Sequence, residues 1–229
     1  MCHSLVGSEM CIRDRKNIKL MTKKNKRKGL MLVLSSPSGA GKTSICRKLL
    51  EIENDLVMSI SYTTRKKRKS ETNGIDYFFV SDNEFEKLKN NDFFIEYANV
   101  FDNWYGTPKK IVIDHMQNGV DVVFDIDWQG TQKLYNFSST DMVSIFILPP
   151  TNHELSNRLK NRDEDSDDTV SLRMSKAKSE ISHWIEYDYV LINENLDECV
   201  KEVLTILYAE RKKKSRQNFL FEMVGKLLE

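Results

Sequence analysis

The chain has 229 residues, 40% of them hydrophobic, which suffices for a packed core and argues against wholesale disorder. Its longest apolar runs, residues 30–34 and 143–148, are far shorter than the ~20 residues that span a bilayer, so we expect no membrane partner. The net charge of +1 combines +7 in residues 1–29 (nine basic, two acidic) with −6 in the remainder (26 basic, 32 acidic). An acidic body argues against general nucleic-acid binding, which needs an extended basic face.

Residues 1–29 show no helical or strand periodicity and no apolar signal-like region, so we expect a disordered basic segment outside the fold. Residues 4–15 resemble translated library-adapter sequence, and we hold open that residues 1–20 are artefactual and that the natural chain starts at Met21. The basic run 23–28 leaves a nucleic-acid-binding arm as the alternative.

The sulfur and imidazole side chains indicate neither disulfides nor a metal cage. No two cysteines form a CxxC pair, and the histidines lack metal-ligand spacing. We therefore expect a reduced, cytoplasmic protein with incidental thiols. The cysteines are Cys2, Cys11, Cys46 and Cys199.

Buried strands and helices alternate through most of the chain, which predicts an α/β fold with a parallel sheet and right-handed crossovers. A strand at 30–35, a glycine-rich turn and a helix at 42–51 form the opening of a nucleotide-binding fold. The other predicted strands are 120–126, 142–148 and 187–192, and the other predicted helices are 128–137, 151–161, 168–185 and 196–209.

Residues 57–119 interrupt this alternation. Aromatic-rich segments at 75–80 and 93–100 predict strands, with a short helix between them that begins at the capping box of Ser81 and Glu84. Thr151 and Glu154 predict a second capping box. We interpret the interruption as a small mixed β insertion that can hold a second substrate opposite a nucleotide.

The turn after the first strand nearly matches the phosphate-loop pattern GxxxxGK[ST], with serine at the first glycine position. Glycines let the backbone N–H groups point at phosphate oxygens, and the following helix adds its positive N-terminus. Lys42 can reach the β- and γ-phosphates, and the Thr43 hydroxyl can ligate Mg²⁺. The predicted nucleotide-binding residues are Ser36, Pro37, Ser38, Gly39, Ala40, Gly41, Lys42 and Thr43.

The strand predicted at 120–126 ends in carboxylates. An acidic residue at the carboxyl end of a core strand beside a phosphate loop usually faces Mg²⁺, often through water, so Asp125 is the second candidate metal residue. A strand-end cap is the alternative. Asp127, two residues further on, is predicted to point to the same face.

The chain resembles the guanylate kinase family over about residues 30–217, and it resembles the bacterial members of that family closely. The resemblance rests on several motifs in one order, which makes it far more specific than the phosphate loop alone. After that loop they are SISYTTRKKR (59–68), NGIDYF (73–78), FIEY (94–97), WYGT (104–107), DIDWQG (125–130) and AERKKKSRQ (209–217).

The resemblance implies a phosphate-loop NTPase core with a parallel sheet flanked by helices, a small mixed β GMP-binding insertion and a helical lid. The core would comprise 30–60 and 108–217, the insertion about 61–107 and the lid about 158–173, followed by a helical tail at 218–229. It implies a nucleoside monophosphate kinase that moves the γ-phosphoryl group of ATP to GMP with Mg²⁺.

The family's motifs also assign roles to individual residues. Arg65 and Arg68 are implied to bind the GMP phosphate, because guanidinium forks suit a dianionic phosphate, and Tyr77 and Tyr105 would add phenolic donors. Read alone, residues 65–69 are as well explained by a solvated charged loop.

Glu96 is implied to read guanine, whose ring N1–H and exocyclic amine form a donor pair that one carboxylate can accept. Adenine lacks this pair and would leave the carboxylate buried and unpaired. Ser61, Thr107 and Asp127 are implied to surround the base; the family often has serine at the position of Thr107, and the hydroxyl is kept. A surface strand position is the alternative for Glu96.

Arg158, Arg162 and Arg173 match the family's lid arginines, which would close over ATP and neutralise charge on the transferring group. Each could alone be a surface helix residue, and the acidic run 163–168 between them is typical of a mobile loop. Asn193 matches a family residue near the adenine.

Two other functions stay open at the level of sequence. A non-catalytic guanylate-kinase-like module would bind peptides and typically lose the loop lysine, whereas Lys42 is present here. A phosphate-loop kinase for another small phosphate ester would not need Glu96 together with Thr107. The sequence does not decide between a monomer and a homo-oligomer.

Overall fold

The computed structural model describes residues 27–100, 102–160 and 167–229. The strands are β1 (Met31–Ser35), β2 (Leu56–Met58), β3 (Tyr62–Thr63), β4 (Phe78–Phe79), β5 (Phe94–Val100), β6 (Asn103–Pro108), β7 (Asp121–Asp125), β8 (Met142–Leu148) and β9 (Tyr189–Ile192). The helices are α1 (Lys42–Ile52), α2 (Asp82–Asn90), α3 (Lys109–Gln117), α4 (Trp128–Ser138), α5 (Asn152–Lys160), α6 (Asp167–Ser182), α7 (Leu196–Arg211) and α8 (Phe219–Leu228).

The larger sheet is parallel and, within the described ranges, runs in the order β2-β7-β1-β8-β9. Side chains alternate along β1, so Leu32 and Leu34 pack with α1 and α7 on one face, while Met31 and Val33 pack with α3 and α4 on the other. Burial on both faces explains the continuous apolar runs. The predicted parallel sheet flanked by helices is confirmed.

The smaller sheet is mixed, in the order β4-β3-β6-β5, with β3 and β4 parallel and the other pairs antiparallel. It has its own aromatic core: the rings of Tyr62 and Phe78 stack at 4.7 Å, and those of Phe85 and Phe94 at 4.6 Å. The predicted mixed β insertion is therefore confirmed, and it lies between β2 and β7 in the chain.

Two predicted elements are shorter than the sequence indicates. The strand predicted at 75–80 is limited to β4, because residues before it turn back on themselves: Gly74 N donates to the Tyr77 carbonyl at 2.8 Å. The helix predicted at 168–185 ends at Ser182 and continues as a 3₁₀ turn, His183–Glu186. Both predicted capping boxes supply a hydrogen bond at the N-terminus of their helix. Glu84 N donates to Ser81 Oγ, and Glu154 N donates to Thr151 Oγ1.

The carboxyl ends of β1 and β7 lie side by side, since Leu34 is the partner of Asp125. Both chain segments that carry the predicted phosphate and metal residues therefore leave the sheet at the same edge, where open α/β sheets bind their ligands. None of the helices in the described part combines the length and apolar character that crossing a bilayer requires.

The N-terminal boundary lies earlier than the sequence indicates, because Arg27, Lys28 and Gly29 are anchored to the body. Arg27 donates two hydrogen bonds of 2.6 Å to Asp121, a carboxylate with no exposed surface that also accepts from Arg211 Nε at 2.7 Å. Lys28 pairs with Asp141, and Gly29 N donates to the Met116 carbonyl. The rest of the predicted disordered segment, residues 1–26, lies outside the described residues.

We expect Arg27→Ala to lower the free energy of unfolding by about 1–3 kcal/mol, since it removes one of two guanidinium partners of the buried Asp121. Urea-induced unfolding measures the change. Arg47→Ala is the control, because this guanidinium is 71% exposed and pairs with Asp76 at 3.6 Å; it should cost less than about 0.5 kcal/mol. Equal effects of the two substitutions would contradict an anchoring role for Arg27.

Candidate active site

The phosphate loop connects β1 to α1, and its two glycines are required by geometry. Gly39 and Gly41 have φ values of 91° and 101°, a backbone region that favours glycine. A Cβ on Gly41 would lie 2.4 Å from Nδ2 of Asn193, and one on Gly39 would lie 2.9 Å from Cδ2 of Leu159. The loop thus has neither the conformational nor the steric freedom for side chains at these positions.

Asn193 and Arg158 support the phosphate loop through hydrogen bonds. Asn193 is buried where β9 ends, and its Nδ2 donates to the Ala40 carbonyl at 2.8 Å. Arg158, on α5, donates to the Asn193 carbonyl at 3.1 Å and to the carboxylate of Glu154 at 2.8 Å. Both predicted ATP-site residues therefore contact the phosphate loop or its support; contact with the adenine or the migrating group stays a prediction.

Lys42, Thr43 and Asp125 form a cluster at the first turn of α1. Lys42 Nζ lies 3.0 Å from Asp125 Oδ1 and donates to the Ile126 carbonyl at 2.7 Å, while Thr43 Oγ1 donates to Asp125 Oδ2 at 2.7 Å. Burial acts to lower the pKa of Lys42, but the charge and hydrogen bond of Asp125 outweigh it, and the pKa is raised. The ammonium is therefore held charged beside the loop.

The donor set at this cluster fits Mg²⁺. Mg²⁺ prefers hard oxygen ligands and is commonly held by one or two carboxylates, phosphates and water. Thr43 and Asp125 offer a hydroxyl and a carboxylate oxygen within 2.7 Å of each other. Among the described residues, His, Cys, Asp or Glu side chains are nowhere grouped in threes or more so that they could hold a metal.

Arg65 and Arg68 share a carboxylate on the insertion. Arg65 Nη2 donates to Glu71 Oε1 at 2.6 Å, and the backbone N of Arg68 donates to Glu71 Oε2 at 2.8 Å. Burial acts to lower the pKa of Arg65, but the hydrogen bond and charge of Glu71, together with the Tyr105 phenol, outweigh it and raise the pKa. The Arg68 guanidinium is 45% exposed and lies 3.9 Å from Glu71. The two predicted acceptor arginines are thus brought together.

Tyr77 lies between the two phosphate-binding regions. The Arg65 guanidinium lies 5.4 Å from the centre of its ring, and the Tyr105 ring lies 5.9 Å away at a steep angle. The pKa of Tyr77 is raised to about 12, mainly by burial; the charge of Asp125 acts in the same direction, while Lys42 and Arg65 act to lower it. Charges from both regions therefore act on one phenol, which stays protonated and able to donate.

A buried carboxylate lies on β5 of the smaller sheet, where Glu96 pairs with Thr107 of β6. Glu96 is 3% exposed, and its Oε1 accepts from Thr107 Oγ1 at 2.7 Å. Thr107 Oγ1 also lies 3.1 Å from Ser61 Oγ, and a Cβ on Gly130 would lie 3.1 Å from Glu96 Oε2. Buried carboxylates need partners, so this arrangement suits a ligand that brings its own hydrogen-bond donors.

The sequence-based prediction places Asp127 by the alternation of side chains along a strand. In the structure Asp127 is the N-cap of α4. Its Oδ1 accepts from Gly130 N at 3.0 Å. Because β7 ends at Asp125, the alternation of strand side chains no longer applies two residues on. Asp127 nevertheless lies near enough to Glu96 to raise its pKa.

Burial is the main cause that raises the pKa of Glu96, to about 7. The Thr107 hydrogen bond and the charge of Lys133 lower it, and Asp127 raises it. The carboxyl group is therefore poised between its neutral and ionised forms near neutral pH, and a ligand that donates hydrogen bonds to it would favour ionisation.

Arg173 lies half-buried on α6, whereas Arg162 and most of the acidic run 163–168 lie outside the described residues. Two carboxylates at the site are absent from the sequence-based prediction. Glu71 could have been noticed as the one acid beside a basic run. Glu180, whose Oε2 accepts from Ser38 N at 3.1 Å, gave no local signal because 142 residues separate the partners.

The fold and the site define a phosphate-loop nucleotide kinase of the α/β class. The family model for guanylate kinase matches residues 28–210. The guanylate kinase of Novosphingobium aromaticivorans is 50% identical over 202 residues, covering 88% of this chain and 91% of the relative. That of Rhodospirillum rubrum is 51% identical over 201 residues, covering 88% and 92%.

A solved structure agrees with the sequence comparisons. The crystal structure of guanylate kinase from Anaplasma phagocytophilum has a TM-score of 0.76 at 40% identity, covering 88% of this chain and 96% of that one. This chain belongs to the guanylate kinase family, whose members are nucleoside monophosphate kinases.

Proposed function

We propose that this chain transfers the γ-phosphoryl group of ATP to GMP, giving ADP and GDP, with Mg²⁺ held at the phosphate loop. The observation that carries the proposal is the buried Glu96–Thr107 pair close to the Lys42 cluster: the charge of Asp127 acts on both Glu96 and Lys42. A carboxylate with this setting accepts the two adjacent donors of guanine and finds no such pair on adenine. The family comparisons support the same reaction.

Positioning and charge neutralisation carry the reaction, because an oxygen of the GMP phosphate is already a nucleophile at neutral pH. Arg65 and Arg68 hold that phosphate, with Tyr77 and Tyr105 donating to it. Lys42 binds the β- and γ-phosphates of ATP, and its raised pKa keeps it charged through the transfer. Thr43 and Asp125 would hold Mg²⁺, which would supply further positive charge to stabilise the transfer.

The remaining assignments complete the proposal. Arg158, Arg162 and Arg173 neutralise charge on the migrating group, and Asn193 supports the loop and approaches the adenine. Ser61 and Asp127 assist Glu96 around guanine. The reaction takes place in the cytoplasm, a location supported by the buried free thiols of Cys46 and Cys199 among the described residues.

We expect GMP affinity to weaken as pH falls through 7, because only ionised Glu96 accepts both guanine donors. The pKa of about 7 means that the ionised fraction falls from roughly nine-tenths at pH 8 to one-tenth at pH 6, so the Kd should rise about tenfold. Isothermal titration calorimetry measures this change. Glu96→Gln should retain only the shallower dependence that comes from the GMP phosphate, which titrates near pH 6; an identical pH profile in both proteins would exclude Glu96.

A coupled assay with ATP and a panel of nucleoside monophosphates tests the function itself. GMP should be the best acceptor, and AMP should be a very poor one. A non-catalytic module would phosphorylate none of them, and a kinase for another phosphate ester would ignore GMP. The intact Lys42 and Thr43, together with paired Arg65 and Arg68, disfavour both alternatives.

A further inference from the structure

Helix α6 contacts the phosphate loop through a carboxylate that the reaction above does not use. Glu180 Oε2 accepts a hydrogen bond of 3.1 Å from the backbone N of Ser38, the third residue of the loop. A carboxylate here is unexpected, because a phosphate loop collects N–H donors for the phosphates of its nucleotide. Burial raises the pKa of Glu180, and the Ser38 hydrogen bond and the charge of Lys42 act to lower it.

The helix that carries Glu180 is fixed against the loop by packing. Ala177 on α6 is buried against Leu155 and Leu159 of α5, and these two leucines lie within 3.2 Å of the position that a Cβ on Gly39 would take. Glu180 follows Ala177 by three residues and therefore lies on the same face of the helix. Its contact with Ser38 is thus part of a continuous interface between the helix pair and the loop.

Successive loop residues are held by different elements. Ser38 N is bound by Glu180 of α6, Gly39 abuts the leucines of α5, and the Ala40 carbonyl accepts from Asn193 after β9. Arg173 lies seven residues before Glu180, two helical turns away on the same side of α6. One helix therefore presents a predicted charge-neutralising arginine and a loop-binding carboxylate to the same region.

We propose that Glu180 is a positioning residue that fixes the third residue of the phosphate loop through the Ser38 N–H, and so shapes the loop for the terminal phosphates of ATP. The inference rests on the proposed role of this loop in binding ATP. Glu180 acts through its hydrogen bond, because the acceptor oxygen and not the net charge is what the Ser38 N–H requires. GMP binding, which we assign to Arg65, Arg68 and Glu96, should not be affected.

The test compares Glu180→Ala, which removes the acceptor, with Glu180→Gln, which keeps an acceptor oxygen but no charge. Glu180→Ala should raise both the KM for ATP and the equilibrium Kd for ATP about tenfold, the effect of losing one hydrogen bond. Glu180→Gln should recover both constants to within about threefold of the unmodified chain. The Kd for GMP should change less than twofold in either variant, and thermal unfolding confirms that each is folded.

Lys178→Ala is the matched control, since this exposed side chain lies two residues away on the same helix and should leave ATP binding unchanged. An unaltered Kd for ATP in Glu180→Ala would overturn the proposal, as would a Glu180→Gln variant that is impaired as strongly as Glu180→Ala or that binds ATP more tightly than the unmodified chain. The binding measurement separates this inference from the function: absent GMP phosphorylation by the unmodified chain would refute the function, while ATP binding would still decide the role of Glu180.

Discussion

Lys42→Ala should reduce kcat by about a thousandfold, the size of effect seen when a charge that stabilises a transferring phosphoryl group is removed. The ammonium lies 3.0 Å from Asp125, on a side chain that is 17% exposed, and is fixed by the Ile126 carbonyl, so water cannot replace it in the same place. GMP binding should be nearly unchanged, because the acceptor phosphate is assigned to Arg65 and Arg68. Steady-state kinetics and GMP titration measure the two effects separately.

Lys48→Ala is the matched control for this experiment. Lys48 lies on the same helix but pairs with Asp197 and not with Asp125, so its loss should leave kcat within twofold. Lys42→Arg should also be strongly impaired, because a planar guanidinium does not fit the compact site between a carboxylate and a carbonyl. A near-normal kcat in Lys42→Ala would refute the assignment of this loop to ATP.

Glu96→Gln should lower the preference for GMP over AMP by about a hundredfold, measured as the ratio of the two kcat/KM values. Glutamine offers one acceptor and one donor where guanine presents two donors, so an amide N–H would face a guanine N–H. The hydrogen bond from Thr107 can still be accepted by the glutamine oxygen. The KM for ATP should be unaffected, and unchanged discrimination would remove Glu96 from the base site.

The same substitution should stabilise the protein at high pH. The folded-state pKa of Glu96 is about 7, above its ordinary value of 4.5, so the stability that comes from its protonated form is complete below pH 4.5 and lost as pH rises through 7. Glutamine is uncharged, so no charge is buried in the variant. Glu96→Gln should therefore raise the free energy of unfolding by up to about 3 kcal/mol at pH 8 and leave it unchanged at pH 4.5. An equal increase in the free energy of unfolding at both pH values would show that the burial of a charge is not the cause of the stabilisation.

The core of the fold could be predicted because its signals are local. Strands β1, β7 and β8 are buried on both faces of a parallel sheet, so each is a continuous apolar run. The phosphate loop is contained in eight consecutive residues. Its backbone has positive φ values that favour glycine, so the glycines can be recognised in the sequence.

Elements that depend on tertiary contacts could not be predicted in this way. Strand β2 has three residues at the edge of the sheet, too few for a periodic pattern. Helix α3 starts after Pro108 without a side-chain cap or an acidic first turn. In the site, Glu71 and Glu180 owe their roles to the Arg65 and Ser38 groups that folding brings to them, and residue types alone do not reveal such pairs.

We infer that a lysine-bearing phosphate loop and an arginine-bearing insertion bind two phosphates that face each other. One ligand tests it directly: adenosine joined to guanosine through a polyphosphate chain, titrated by calorimetry against the unmodified chain, Lys42→Ala and Arg65→Ala. We expect a Kd at least a hundredfold below that of ATP or GMP alone, because one molecule gains both sets of contacts, and a loss of affinity of about tenfold or more in each variant. Affinity no better than that of ATP, or an Arg65→Ala variant that binds this ligand normally, would contradict it.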